Sequence, residues 1–187
     1  MKPLLSLSAL IDATNEWVGR WVYWLILIMV VVSSGNAAIR YIFNTSSNAW
    51  LEVQWYLFAT VFLLCSGYTL LRNEHIRIDV IAGKLSRRTQ LWIDILGTLF
   101  FLFPMAILIL VLSWPMFMKS ILNTEMSSDA GGLIRWPAKI MIPIGFLLLV
   151  LQGLSELIKK TAILRGIIPD PGEHAPAHGA PAHHGEA

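Results

Sequence analysis

Four apolar stretches, separated by short polar connections, set the pattern of this chain. They run over 21–40 (WVYWLILIMVVVSSGNAAIR), 50–71 (WLEVQWYLFATVFLLCSGYTLL), 90–117 (QLWIDILGTLFFLFPMAILILVLSWPMF) and 137–158 (PAKIMIPIGFLLLVLQGLSELI). Crossing about 30 Å of hydrocarbon at about 1.5 Å per residue takes about 20 residues, so each stretch predicts a membrane-spanning helix. The third is long enough to tilt or to reach past the bilayer. Pro104 and Pro143 fall inside spans and predict kinks rather than breaks, because neighbouring helices re-satisfy the freed carbonyls. In the leading segment, Leu4, Leu7, Ile11 and Val18 recur near helical spacing and predict an amphipathic helix lying on the inner membrane surface. Its apolar core is too short and too broken by serines for a secretory signal. From Pro169 onward the chain is rich in Pro, Ala, Gly and His and cannot bury a core. The expected fold is an all-α integral membrane protein: an amphipathic segment at 1–20, a four-helix membrane domain at 21–160, and a disordered tail at 161–187.

Composition agrees. Of 187 residues, 56% are hydrophobic and only 14% charged, whereas a soluble domain carries roughly a quarter of its residues as charges. The single cysteine, Cys65, can form no internal disulfide, and no C-x-x-C metal spacing occurs. All eight tryptophans lie near proposed span ends, Trp17, Trp21, Trp24 and Trp92 on one side and Trp50, Trp55, Trp114 and Trp136 on the other. Indole rings favour the headgroup level, so these read as two aromatic belts. Ten basic residues fall on the side of the termini and the 72–88 connection, and four (Arg40, Lys119, Arg135, Lys139) on the other. The positive-inside rule then places both termini in the cytoplasm.

An ionisable group in lipid costs about 2.5–3.5 kcal/mol even on the lenient insertion scale, so one at mid-membrane would signal function. The central stretches LILIMVVV, LFATVFLLC, LFFLFPMAILIL and GFLLLV contain none. Glu52, Asp94 and Glu156 sit near span ends; Glu156 has Lys159 and Lys160 at helical spacing, while Glu52 and Asp94 lack an obvious local partner. Those two are therefore candidates for inter-subunit contacts. Asn36, in the small-residue run 33–38, can hydrogen-bond across a helix interface, and Cys65, Ser66 and Gly67 repeat the theme. No carboxylate lies at depth for proton coupling, no histidine pair for axial haem ligation, and no phosphate loop or nucleophile elbow occurs. His174, His178, His183 and His184 read as a solvated tail or a weak divalent-metal site. These features describe a non-enzymatic scaffold without a bound cofactor or nucleic-acid partner. The alternatives are a membrane anchor of a respiratory or redox complex and, less in keeping with the dry midplanes, a self-sufficient small transporter built around Asn36, Ser33 and Thr60.

The connection after the second span reads Arg72-Asn73-Glu74-His75-Ile76-Arg77-Ile78-Asp79-Val80. Followed by GGLIRWPAK (131–139), IPIGFLLLVLQG (142–153) and SELIKK (155–160), it resembles the small membrane subunit of tripartite ATP-independent periplasmic (TRAP) transporters, the DctQ-like family, over residues 17–165. The resemblance implies a scaffold subunit in the bacterial inner membrane, partnered by a large multi-helix membrane subunit and a periplasmic substrate-binding protein. It implies organic-acid uptake driven by a sodium gradient, with sodium and substrate sites in the large subunit. His75, Arg77 and Asp79 would then fix the cytoplasmic elbow against the large subunit, and Arg135 and Trp136 would lie near the docked binding protein.

Overall fold

The computed structural model describes residues 2–45, 47–72 and 85–169. It contains four helices long and apolar enough to cross a membrane: α1 (Lys2–Phe43), α2 (Asn48–Leu71), α3 (Arg87–Leu122) and α4 (Trp136–Leu164). At about 1.5 Å per residue, α2 at 24 residues nearly matches a bilayer, whereas α1 at 42 residues overshoots it by about 30 Å. Two expectations are corrected here. The amphipathic N-terminal segment is helical but is not a separate element, since it continues unbroken into the first span. Its inward face (Ser8, Ile11, Asn15, Gly19) is buried against protein, while Leu4, Leu7 and Leu10 are exposed. The fourth helix also runs on to Leu164, four residues into the stretch expected to be unstructured.

α4 is the hub. Its apolar window is 39% buried, against 6% in each other span. α1 and α2 pack on each other and on α4, and α3 packs on α4. A closed four-helix bundle would also pair α2 with α3. This arrangement is open, and it leaves most of the apolar surface of α1, α2 and α3 uncovered. All eight tryptophans are exposed, as aromatic belts require.

Glycines let the helices meet closely. A Cβ on Gly19 would lie 2.5 Å from the Tyr68 ring, one on Gly145 would lie 2.6 Å from the Leu63 carbonyl oxygen, and one on Gly153 would lie 2.9 Å from Phe103. Gly67 leaves room for the Asn15 side chain. Gly35, in the α1 run 33–38, by contrast faces open space and marks no helix crossing within the chain. Where α3 crosses Gly153, residues Thr98–Leu102 form a π-helical turn, and the Phe103 amide bonds the Thr98 carbonyl. Pro104 follows at once, and the wide turn absorbs the hydrogen bond that proline cannot donate.

Candidate functional site

Two polar clusters occupy opposite ends of the hub. At the end bearing the termini, the last turns of α4 meet the overhanging start of α1. The Asn15 amide donates to Gln152 Oε1 (2.9 Å), and Gln152 Nε2 donates to Asp12 Oδ1 (2.9 Å). Ser155 Oγ donates to the same carboxylate oxygen at 2.6 Å. Since Ser155 has one hydroxyl hydrogen, the 2.7 Å contact between Ser8 Oγ and Ser155 Oγ is donated by Ser8. Lys159 bridges Asp12 (3.0 Å) and Glu156 (2.6 Å), so the basic head balances two carboxylates. Gln152, Asn15 and Ser155 are fully buried. On the other side of α4, Lys160 pairs with Asp94 of α3 at 3.0 Å. The adjacent lysines thus point opposite ways and tie α1 and α3 to the hub. Arg72, at the end of α2, closes the cluster through Glu16 at 2.6 Å and stacks over Tyr68.

At the other end, α2 clasps the 123–135 loop. Asn48, Glu52 and Tyr56 stand at i, i+4 and i+8 and therefore share one helix face. Asn48 Nδ2 donates to the Ala130 carbonyl (3.0 Å), and Tyr56 Oη donates to the Ile134 carbonyl (3.3 Å). Glu52 accepts from the Leu133 amide (2.6 Å) and from Ser127 Oγ. Gly131 takes a positive φ of 72°, and Gly132 lies so close to Glu52 and Ser127 that a side chain would collide. Glu125 binds Lys139 directly and lies 3.7 Å from Arg135. A cleft of about 490 Å³ opens between clasp and loop, lined by Trp55, Asp129, Arg135 and Lys139 among others.

Hydrogen bonding from Lys139 holds the Glu125 carboxyl below its ordinary 4.5. A carboxylate with a depressed folded pKa adds stability that is complete above its unfolded value and fades as pH falls through the folded one. The loop should therefore stay clasped at pH 7 and loosen below about pH 4.5, seen as faster proteolysis of the 123–135 segment. Glu125→Gln should loosen it at all pH values; unchanged acid sensitivity in that variant would place the titrating group elsewhere.

Glu52 and Asp94 have no partner three or four residues away, but each finds one across a long sequence separation: Glu52 is committed to the loop and Asp94 to Lys160. That removes the reason for assigning them to a subunit interface. Glu156 pairs with Lys159 as its spacing suggested. Asn36 sits half-buried beside α2, with no side-chain hydrogen bond among the described residues. Arg135 and Trp136 stand at the start of α4, partly exposed. His75, Arg77 and Asp79 lie outside the described residues.

Among the described residues no group of three His, Cys, Asp or Glu side chains could hold a metal ion. What both clusters can do chemically is hold helices and a loop in place. The family described as tripartite ATP-independent periplasmic transporters, DctQ component, matches residues 29–162. The chain belongs to this family. It is accordingly a transporter component and not an enzyme. Comparison with curated proteins and with solved structures gave no match. The DctQ match takes in the whole loop clasp and the α4 half of the inner seam, but Ser8, Asp12 and Asn15 precede it. Those three, with Gln152 and Ser155, are the residues that sequence reasoning passed over. Their signal was the polar i, i+4 and i, i+3 spacing on two helices whose pairing was not yet known.

Proposed function

We propose that this DctQ-family chain is the static scaffold of a sodium-coupled TRAP transporter that takes up organic acids. It would sit in the inner membrane with both termini cytoplasmic, beside a large multi-helix subunit that carries the sodium and substrate sites and a periplasmic binding protein. One observation carries this reading. Every acid within the four helices (Asp12, Glu16, Glu52, Asp94, Glu156) is held by a partner inside the chain. A coupling site needs a group free to bind and release an ion during transport, and none of these is free. The uncovered apolar faces of α1, α2 and α3 support a large membrane partner. The redox-anchor alternative is not favoured by the family match.

Mild-detergent purification of the tagged chain from its native membrane should recover a much larger multi-helix protein at equal stoichiometry. Asp79→Lys, in the proposed elbow, should weaken that recovery. Arg135→Glu should leave recovery intact but impair uptake when the binding protein is scarce. Isolation of the chain alone with transport intact would overturn the scaffold reading, and unchanged recovery with Asp79→Lys would remove the elbow contact.

A further inference from the structure

Away from the hub, the outer halves of α1 and α2 line a groove between them. Its deeper part, about 440 Å³, is lined by apolar side chains including Met29, Val30 and Phe58. Its part near the hairpin, about 570 Å³, is lined by Asn36, Arg40 and Gln54 among others. Ser33 and Gln54 line both parts, so the groove is continuous. From Met29 to Arg40 it follows α1 for about 16 Å at 1.5 Å per residue. Its polarity therefore changes along the membrane normal, apolar at depth and polar near the surface.

The polar end carries one cation, Arg40, and no acidic side chain. Arg40 has no acidic partner among the described residues, a state it shares with Arg20, Lys119 and Arg165, but of these only Arg40 lines the groove. The Asn36 amide has no partner there, and Gln54 is engaged only through its oxygen, by Ser33 at 3.5 Å. A guanidinium with no acidic side chain beside it calls for an anionic group, to which the two amides can also donate. The apolar continuation calls for a hydrocarbon chain. A protein helix would bring apolar surface to both parts and leave Arg40 unanswered.

We propose that this groove holds one phospholipid of the leaflet at the α1–α2 hairpin, with its phosphate on Arg40 and an acyl chain along Met29, Val30 and Phe58. The lipid fills the groove between the two helices and anchors the hairpin end.

The test uses the full-length chain in phosphatidylcholine proteoliposomes doped with phosphatidylglycerol bearing an acyl-chain diazirine, with peptide mapping after illumination. Adducts should concentrate on Met29, Val30 and Phe58 over Phe100 and Phe101, which are 64% and 79% exposed on α3 and report unselective lipid contact. Arg40→Gln should lower groove labelling by about fivefold, the usual effect of one basic residue at an anionic surface, and leave α3 labelling unchanged. A diazirine diacylglycerol, lacking phosphate, should label groove and α3 alike. Equal labelling of groove and α3 by the phospholipid, or no response to Arg40→Gln, would overturn the proposal. So would groove labelling that disappears when a large membrane subunit is co-reconstituted, since the occupant would then be protein.

Discussion

Asp12→Ala is expected to destabilise the helix assembly by about 2–4 kcal/mol. Asp12 accepts hydrogen bonds from Gln152, Ser155 and Lys159, so its loss strands two neutral donors and half of a cation's counter-charge. Interhelical hydrogen bonds in membranes average only about 0.6 kcal/mol, and three of them would give roughly 2 kcal/mol. Stranding a buried donor adds about 1–3 kcal/mol, here discounted because Asp12 remains a quarter exposed (25%). Lys159 keeps Glu156, which limits the damage. Asp12→Asn should cost less, because the amide oxygen still accepts from a neutral donor. A double-mutant cycle with Gln152→Leu should be clearly sub-additive, since the two side chains share one network. Reversible unfolding in mixed micelles would read these values. A cost below about 0.5 kcal/mol for Asp12→Ala, typical of an unremarkable surface site, would mean the seam contributes nothing to stability.

The second large effect is a contrast between two glycines. Gly145→Ala should destabilise by about 1–3 kcal/mol, the usual range for overpacking. The new methyl would lie 2.6 Å from the Leu63 carbonyl oxygen, and a backbone atom cannot rotate away. Separation of α2 from α4 is the available relief, so Gly145→Leu should be worse still. Gly35→Ala places the same methyl in open space within α1. There the expected result is neutral or stabilising by up to about 1 kcal/mol, the helix-propensity difference between the two residues. Equal tolerance at both positions would refute the close α2–α4 crossing, which thermal stability in one detergent is sufficient to decide.

The four spans were legible because bilayer thickness imposes a length and an apolar composition on any crossing helix, whatever it packs against. Trp50, Trp55, Trp114 and Trp136 could be placed at one surface for the same reason. The absence of ionisable groups from the span centres could be read directly and pointed away from a transport path before any packing was known. Less could be read at the inner end. Leu4, Leu7 and Ile11 have a helical period that fits a surface-lying helix as well as a continuous one. What separates the two is the α4 partner for Ser8, Asp12 and Asn15, which lies about 140 residues away.

The same distinction explains why the partners of Glu52 and Asp94 were not legible. Local partners of a helical acid sit three or four residues away, but these two find theirs at Leu133 and Lys160. Nor could sequence tell that Gly67, Gly145 and Gly153 mark crossings while Gly35, in the small-residue run 33–38, does not. By itself the sequence determined that there are four helices long and apolar enough to cross a membrane, and which family the H-I-R-I-D segment and the helix-four block resemble, because solvent and composition act on each segment alone. Only the tertiary structure decided that α4 is the hub, that the N-terminal segment extends α1, and which charges neutralise which. Those depend on contacts between distant segments, and every such contact is a choice among many helix pairings that satisfy the membrane equally well.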